Sequence, residues 1–545
     1  MTIGFGSSVE SFPRRRAHPT YANHAMVAAA HPVAIEAGLR ILHQGGNAFD
    51  IAIATGLAAA VVMPEMCGLG GELFAVFSAR AGKPRSIQAS GRSPRKASYE
   101  LLKQLGGNHM PYNGPHSIAV PGMVDGYFHL LENYGTMSFA QVAEPAIDIA
   151  RNGYALHPLG AQAIADNAEL LQRDEAAAAI FLANGLAPAP GTRLVQTDLA
   201  HTLEALAVEG AQSFYSGQLA ERMVTYLQSV GSKFDLDDFA TYESDLSDPY
   251  SVNYRGHTVY QTAIPSQGII LLEALNIVEN ANLSDPLSAD SIHTMVEAKK
   301  LSYADRVGFL GDGIANPIEQ ILSKGYAAQR FGQIDPQHAA ETASIGTLSD
   351  GDTTYLCAAD REGNMVSLIQ SVSAAFGSGI VAGDTGVVMN NRAGRGFTLD
   401  QSHPNVYAPG KRSMHTLNAY LISNEQGVPV LVGGTPGGDG QPQWNLQGIV
   451  GLIDAGMDVQ SAIEQPRWTS WPGTDPSTID NPFELRMESQ FDHAVLESLR
   501  SRGHNVVEQP VFGGGGAAQM IARDPETGLL IGGSDARVEG VSLGR

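Results

Sequence analysis

The chain has 545 residues, 43% of them hydrophobic and 17% charged, with a formal net charge of −22 at neutral pH. That is ordinary globular composition, long enough for two or more domain-sized units and a large buried core. So acidic a surface repels phosphate backbones and argues against nucleic-acid binding, and no uncharged run of about 20 strongly apolar residues is present to span a membrane.

The first twenty residues, MTIGFGSSVESFPRRRAHPT, read as a flexible arm. They have no apolar stretch before their three arginines, so they are not a secretory signal, and the cytoplasm is the expected location. From Met26 to about Pro64 the pattern is helical and Ala-rich, most clearly in HPVAIEAGLRILHQGGNAFDIAIATGLAAAVVMP. Gly45-Gly46 divides it into two helices, with Asn47 as cap of the second. The run is apolar almost all round, which predicts burial between layers. CGLGGELFAVFSA then reads as a Gly turn feeding a buried strand. From about Tyr99 to Pro336 the pattern is mostly helical, clearest in SFAQVAEPAIDIARNGYAL, QTDLAHTLEALAVEG and SADSIHTMVEAKKLSYADRVGFL. Ala328–Asp352 is small and polar, a surface segment leading to an exposed break point. After Asp352 strands dominate: Thr354–Ala359, Met365–Val372, Gly386–Asn390, Asn418–Ser423 and Val428–Gly433, with NEQG as a hairpin loop between the last two. The Gly turn GGTPGGDGQPQ leads into a helix, WNLQGIVGLIDAG. Strands flanked on both sides by helical blocks predict an α/β layered protein.

Cys67 and Cys357 lack a CxxC partner or a zinc-like His spacing. Both read as small buried apolar residues, with a single disulfide left open. The sixteen histidines show no HExxH or paired metal spacing, so no metal is expected. Glu297 and Lys300 fit a solvated helix face.

The stretch GDTTYLCAAD, Gly351–Asp360, places Asp-Thr-Thr at the mouth of a hairpin. Thr favours strands, and that is the plain reading. The chemical reading is that Thr353 is a hidden N-terminus. A threonine hydroxyl needs an adjacent base to act as a nucleophile, and scission just before it frees an α-amine of pKa about 8 for that task. The oxyanion of a tetrahedral intermediate also needs donors. Gly437-Gly438 lets backbone N–H groups turn toward a ligand without Cβ interference. Ser371, Ser373 and Thr354 are placed to hydrogen-bond the nucleophile from neighbouring strands.

Several longer motifs occur in order with these: GGNAFDIAIATGLAAAV, CGLGGELF, SIAVPGMVDGYFHLLENYGTMSF, PSQGIILLEALNI, EAKKLSYADR, FGSGIVAGDTGVVMNN, GTPGG and GGSDAR. On them the chain, from about Met26 to Gly544, resembles the γ-glutamyltransferase family of N-terminal-nucleophile hydrolases. The resemblance implies a four-layer αββα sandwich made from one precursor. It implies scission before Thr353 into a large chain, 1–352, and a small chain, 353–545, which stay together as a heterodimer, with a higher homo-oligomer left open. It further implies attack by Thr353 on an amide carbonyl, Gly437 and Gly438 as oxyanion-hole residues, Ser371 in the place of a supporting Thr, and no metal or organic cofactor.

The departures from the family pattern bear on substrate. The family Arg that holds the glutamyl α-carboxylate, four residues before a Pro, is matched by Ser90 in SGRSP, with Arg92 two places on. In NNRAGRGF, Arg392 stands at an amide's place and Arg395 at an acid's place. The assisting Asn is Ser373, and the Ser-Ser pair after Lys-Arg is His415-Thr416. Exchanging an acid for Arg395 repels an ammonium and attracts a carboxylate, which Arg binds in bidentate fashion. The expected substrate is therefore a small-molecule amide whose acyl part ends in a carboxylate and lacks a glutamate α-amine, such as a glutaryl or oxalyl group. HTL after Lys-Arg and GGDGQPQ resemble the branch with cephalosporin (glutaryl) acylases and an oxamate amidohydrolase. Only APG separates NVY from KRS, where many relatives have a longer lid, which favours hydrolysis over transpeptidation. Two rival readings stand: a true γ-glutamyltransferase or glutathione hydrolase, and an unprocessed, non-catalytic relative acting as a binding protein. A solvated basic loop is the plain alternative for Arg392 and Arg395, and a structural bond to a neighbouring carbonyl is the plain alternative for His415. IPSQG is no nucleophile elbow. Gly513–Gly516 lacks a P-loop ending and reads as a turn near the site. Asp535 and Arg537 read as pins for the small chain.

Overall fold

The structure is a computed structural model that describes residues 18–340, 352–473 and 481–545. Two seven-stranded sheets, antiparallel throughout, form its centre. One sheet runs in the order Val541–Gly544, Ala25–Ala29, Asp352–Asp360, Met365–Ser373, Glu72–Ser78, Arg85–Ala89, Asp245–Ser247. The other runs Thr20–Ala22, Leu530–Ser534, Gln519–Arg523, Pro429–Gly434, Tyr420–Ser423, His257–Gln261, Tyr250–Tyr254.

Three apolar cores separate four layers. Phe74, Val76, Tyr355 and Ile369 of the first sheet meet Leu421, Val432 and Ile521 of the second between the sheets. Helices Pro32–His43, Ala48–Val62 and Phe139–Asn152 cover the outer face of the first sheet. Helices Gly268–Val278, Ala289–Phe309 and Gly440–Ile453 cover that of the second. This is the αββα sandwich expected. A sheet covered on both faces has no solvated side, and Glu72–Ser78 and Met365–Ser373 are buried throughout. Helix Ala48–Val62 is likewise wholly buried, its N-terminus closed by a capping box between Asn47 and Asp50.

The chain-order reading needs several corrections. Met26 lies in a strand, Ala25–Ala29, not a helix; Ala-rich composition favours helix, but Val541–Gly544 on one side and Asp352–Asp360 on the other supply strand partners. Thr20 belongs to an edge strand, while the rest of the N-terminal arm up to residue 17 lies outside the described residues. The predominantly helical block contains the strands Asp245–Ser247, Tyr250–Tyr254 and His257–Gln261. Gly386–Asn390 makes only isolated bridges, Met389 with Gly70 and Val388 with Val381. The strand expected from Asn418 begins at Tyr420; the Asn418 backbone N–H is donated to Gln441 Oε1 at 3.2 Å rather than to a neighbouring strand. Within Ala328–Asp352, helix Lys324–Phe331 takes the first residues, and 341–351 lie outside the described residues. Glu297 and Lys300 are buried, paired at 2.7 Å and covered by Ala340 and Phe483, rather than solvated. Cys67 and Cys357 are both buried and unbridged. No helix among the described residues is long and apolar enough to cross a membrane.

Candidate active site

Thr353 sits at the start of strand Asp352–Asp360, where the register slips. Asp352 pairs with Ser373 and Thr354 with Gln370, so Thr353 alone faces Ser371 and Val372. A bulge of this kind re-aims a side chain at the rim of a sheet. The Thr353 hydroxyl is buried and donates to Ser371 Oγ at 3.2 Å, which also accepts from Ser373 N at 2.7 Å. Thr354 turns away, toward Met63 Sδ. Ser373 ends its strand at φ +90°, a conformation costly for a residue with a Cβ, and its hydroxyl has no partner among the described residues.

The Gly437-Gly438 loop leaves the end of strand Pro429–Gly434. Gly434 packs against the ring of Tyr355, two residues along from Thr353, and Ser367 Oγ donates to Gly433 O at 3.1 Å. The loop therefore emerges at the Thr353 end of the sandwich. Gly437 has φ +118° and a Cβ there would lie 2.2 Å from the Trp444 ring, so only glycine fits. Helix Gly440–Ile453 follows directly and adds its N-terminal dipole to the same region.

Three side chains not singled out from the sequence grip this loop. Tyr303 OH donates to Asp439 O, Arg306 bonds Asp439 Oδ1 at 2.9 Å, and Arg306 also bonds Gln267 Oε1. Gln267 Nε2 in turn donates to Gly438 O at 3.1 Å and Thr416 O at 2.9 Å. All three lie inside motifs quoted above, PSQG and EAKKLSYADR, and Tyr303 and Arg306 share a helix face by their spacing. What the sequence does not display is that this face meets the glycine loop.

The residues expected to hold substrate largely converge. Arg392 and Arg395 lie in the short helix Arg392–Gly396 and are buried, which overturns the solvated-loop alternative. Arg395 Nη1 donates to Ser373 O at 2.9 Å. Arg392 Nε meets Glu72 at 3.4 Å, and its Nη2 has no partner among the described residues. Glu72 lies directly across from Ser371 in the sheet. It was missed, although an acid inside the otherwise apolar run ELFAVFS is itself a signal. Burial pushes Glu72 up to about 7 against the opposing pull of Arg392. His415 Nε2 is hydrogen-bonded to Ser90 Oγ at 2.5 Å, and its ring lies against Phe74. Burial, then the charges of Arg392, Arg412 and Arg306, hold His415 well below its ordinary range, so the ring is neutral. His415 Nδ1 and Thr416 Oγ1 are buried without partners among the described residues. Arg92 does not join this group. Its half-exposed guanidinium donates to Gly410 O, pairs with Asp312 at 3.7 Å, and lines a surface cavity of about 240 Å³ with Ser90, Arg95 and Arg412.

The remaining features fall into place around the loop. Gly514 donates to Glu488, and Gly516 packs on Trp444 and Thr435, so the four-glycine run is a turn beside the glycine loop. Asp535 pairs with Arg467 at 2.8 Å and Arg537 with Glu488 at 2.6 Å, all buried, a purely structural network.

The family model for gamma-glutamyltranspeptidase matches residues 34–544. The glutathione hydrolase-like YwrD proenzyme of Bacillus subtilis is 39% identical, covering 95% of this chain and 98% of that protein. The oxamate amidohydrolase proenzyme of Klebsiella pneumoniae is 34% identical, covering 96% and 98%. Among solved structures, the cephalosporin acylase of Bacillus halodurans superimposes with a TM-score of 0.90 at 32% identity, covering 99% of both chains.

Proposed function

The chain belongs to the gamma-glutamyltranspeptidase family and is an N-terminal-nucleophile amidohydrolase or acyltransferase; from that premise we propose that it cuts itself before Thr353 and then hydrolyses an amide whose acyl group ends in a carboxylate. In the uncut chain the Thr353 nitrogen is an amide and no base. Scission gives chains 1–352 and 353–545 and turns that nitrogen into an amine that accepts the hydroxyl proton. The Thr353 oxygen then bonds to the substrate carbonyl carbon. The C–N bond breaks, and the leaving amine takes the proton back from the Thr353 amine. Water, activated by the same amine, adds to the ester and releases the acid. Ser371 orients the hydroxyl, and the N–H groups of Gly437 and Gly438 receive the oxyanion. The short Ala408–Gly410 segment suits entry of water over a bulky acceptor.

The observation that carries the substrate class is the burial of Arg395 against Ser373 and of Arg392 against Glu72, which faces Ser371, the partner of Thr353. Buried guanidinium groups are ready partners for a carboxylate. One observation favours a second reading. The unpartnered, buried Glu72 Oε1 is an acceptor for an ammonium, which would make the donor γ-glutamyl, with the acid at 72 in place of 395 and the arginines in place of residue 90. Kinetics with glutaryl and γ-glutamyl anilides separate the two. On the first reading the glutaryl amide is the better substrate and Arg395→Ala lowers its kcat/KM by about 10- to 100-fold, the worth of a charged hydrogen bond. Preference for the γ-glutamyl amide, lost in Glu72→Gln, would establish the second instead.

A further inference from the structure

Helix Ala289–Phe309 carries His293 and Glu297 one turn apart, so both project from one face. His504 closes on them from the C-terminal part of the chain, and ligand-capable atoms of the three buried residues lie within 4.8 Å of one another. The spacing is invisible to a search for HExxH because the third residue is 211 positions away. His293 Nε2 faces the carbonyl of Asp335 at 2.8 Å. A carbonyl only accepts, so Nε2 carries the hydrogen, and Nδ1 aims its lone pair at His504 Nε2, 2.8 Å away. A backbone carbonyl fixing the tautomer from behind is the arrangement that orients metal-ligating histidines.

Glu297 completes the set. One of its oxygens accepts from Lys300 Nζ at 2.7 Å and the other from Ala340 N at 3.2 Å, and Lys300 also donates to Ala340 O at 2.8 Å. The ammonium is therefore the competitor any cation must overcome. A cavity of about 210 Å³, lined by Lys300, Ala340, Phe483 and His504, reaches the cluster from outside.

We propose that His293, Glu297 and His504 bind a first-row divalent cation, zinc foremost. Two imidazole nitrogens and a carboxylate oxygen are a zinc donor set, and tetrahedral bonds of about 2.0–2.2 Å are met when the two ring nitrogens, 2.8 Å apart, open to about 3.3 Å and the Glu297 oxygen closes on them. The hydrogen on His504 Nε2 shifts to its Nδ1 through solvent, so the ring ligates as a neutral base. If the chain is cut before Thr353, as proposed above, the ion bridges the large chain, through His293 and Glu297, to the small chain, through His504. Ion binding itself does not depend on the cut, which is read separately from the masses of the chains.

The test is calorimetric titration of EDTA-stripped, full-length protein with zinc chloride, with cobalt absorption as a second readout. One equivalent is expected to bind with a Kd of about 1 μM or tighter. Glu297→Gln, nearly isosteric, and His504→Ala are each expected to weaken it by at least about 10- to 100-fold, the range that loss of a mere supporting group costs. Lys300→Met is expected to tighten it, which a purely structural cluster does not predict. The site is overturned if zinc fails to bind the wild-type protein, if it binds only after Lys300→Met, or if Glu297→Gln and His504→Ala bind as tightly as the parent.

Discussion

Glu72 shows how one buried residue carries both a stability and a specificity term. Burial raises its carboxyl from an ordinary 4.5 to about 7, with Arg392 opposing. An acid raised on folding holds a proton that the unfolded chain has lost. Its contribution therefore favours the fold below pH 4.5 and is lost as pH rises through about 7. The same titration acts on the substrate. Below about 7 a neutral Glu72 leaves Arg392 to a substrate carboxylate; above it, the ionised carboxylate competes for the guanidinium. The ratio of wild-type to Glu72→Gln kcat/KM on a glutaryl anilide should therefore fall as pH rises through about 7, while titration of the Thr353 amine cancels from the ratio. A flat ratio contradicts this role. At this scale the nearness of Thr353 to Ser371, and of Arg395 to Ser373, was legible, because motif words carry those residues. Glu72 was not, since it reads as one letter in an apolar strand until its cross-strand neighbour, Ser371, is known.

Among elements, the glycine loop depends on helix Ala289–Phe309 and on Gln267, which caps helix Gly268–Val278. Arg306 and Gln267 hold the loop at Asp439 and Gly438, so they are positioning residues. Gln267→Ala is expected to lower kcat by about 10- to 1,000-fold with little change in KM, since oxyanion donors act in the transition state. A rise in KM with unchanged kcat would assign Gln267 to substrate binding instead. Arg306→Met breaks the buried ion pair with Asp439 and the bond to Gln267 together, and a loss of about 3–5 kcal/mol in stability is expected from denaturant unfolding. Helices of strong period were read correctly, as in Phe139–Asn152 and Thr197–Glu209. The short strands Asp245–Ser247 to His257–Gln261 were not, because three to five residues give too little alternation to stand out from a helical block. The burial of Glu297 and Lys300 was also hidden, since the residues that cover them, Ala340 and Phe483, come from segments distant in the chain.

Over the whole molecule, the two segments on either side of Thr353 are interleaved. In the first sheet Ala25–Ala29 lies between Val541–Gly544 and Asp352–Asp360; in the second, Tyr420–Ser423 pairs with His257–Gln261. Separating the chains after a cut means breaking backbone ladders in both sheets and exposing the core between them. The cut protein is expected to run as one species in gel filtration and to unfold in one cooperative step, with its chains parting only in denaturant. Two separate native species would contradict that interleaving. The layered architecture was legible from helical blocks flanking a strand-rich centre, but the interleaving was not, because sheet order is set by pairings across hundreds of residues.

Everything said of mechanism turns on whether Thr353 becomes an N-terminus. The most direct measurement is the intact mass of freshly purified protein under denaturing conditions, beside a Thr353→Ala control. Two fragments, the smaller beginning at Thr353 and ending at Arg545, with a single uncut chain in the control, is the predicted result. A single full-length mass in the wild-type protein, unchanged on long incubation, would contradict the account and leave an unprocessed relative in its place.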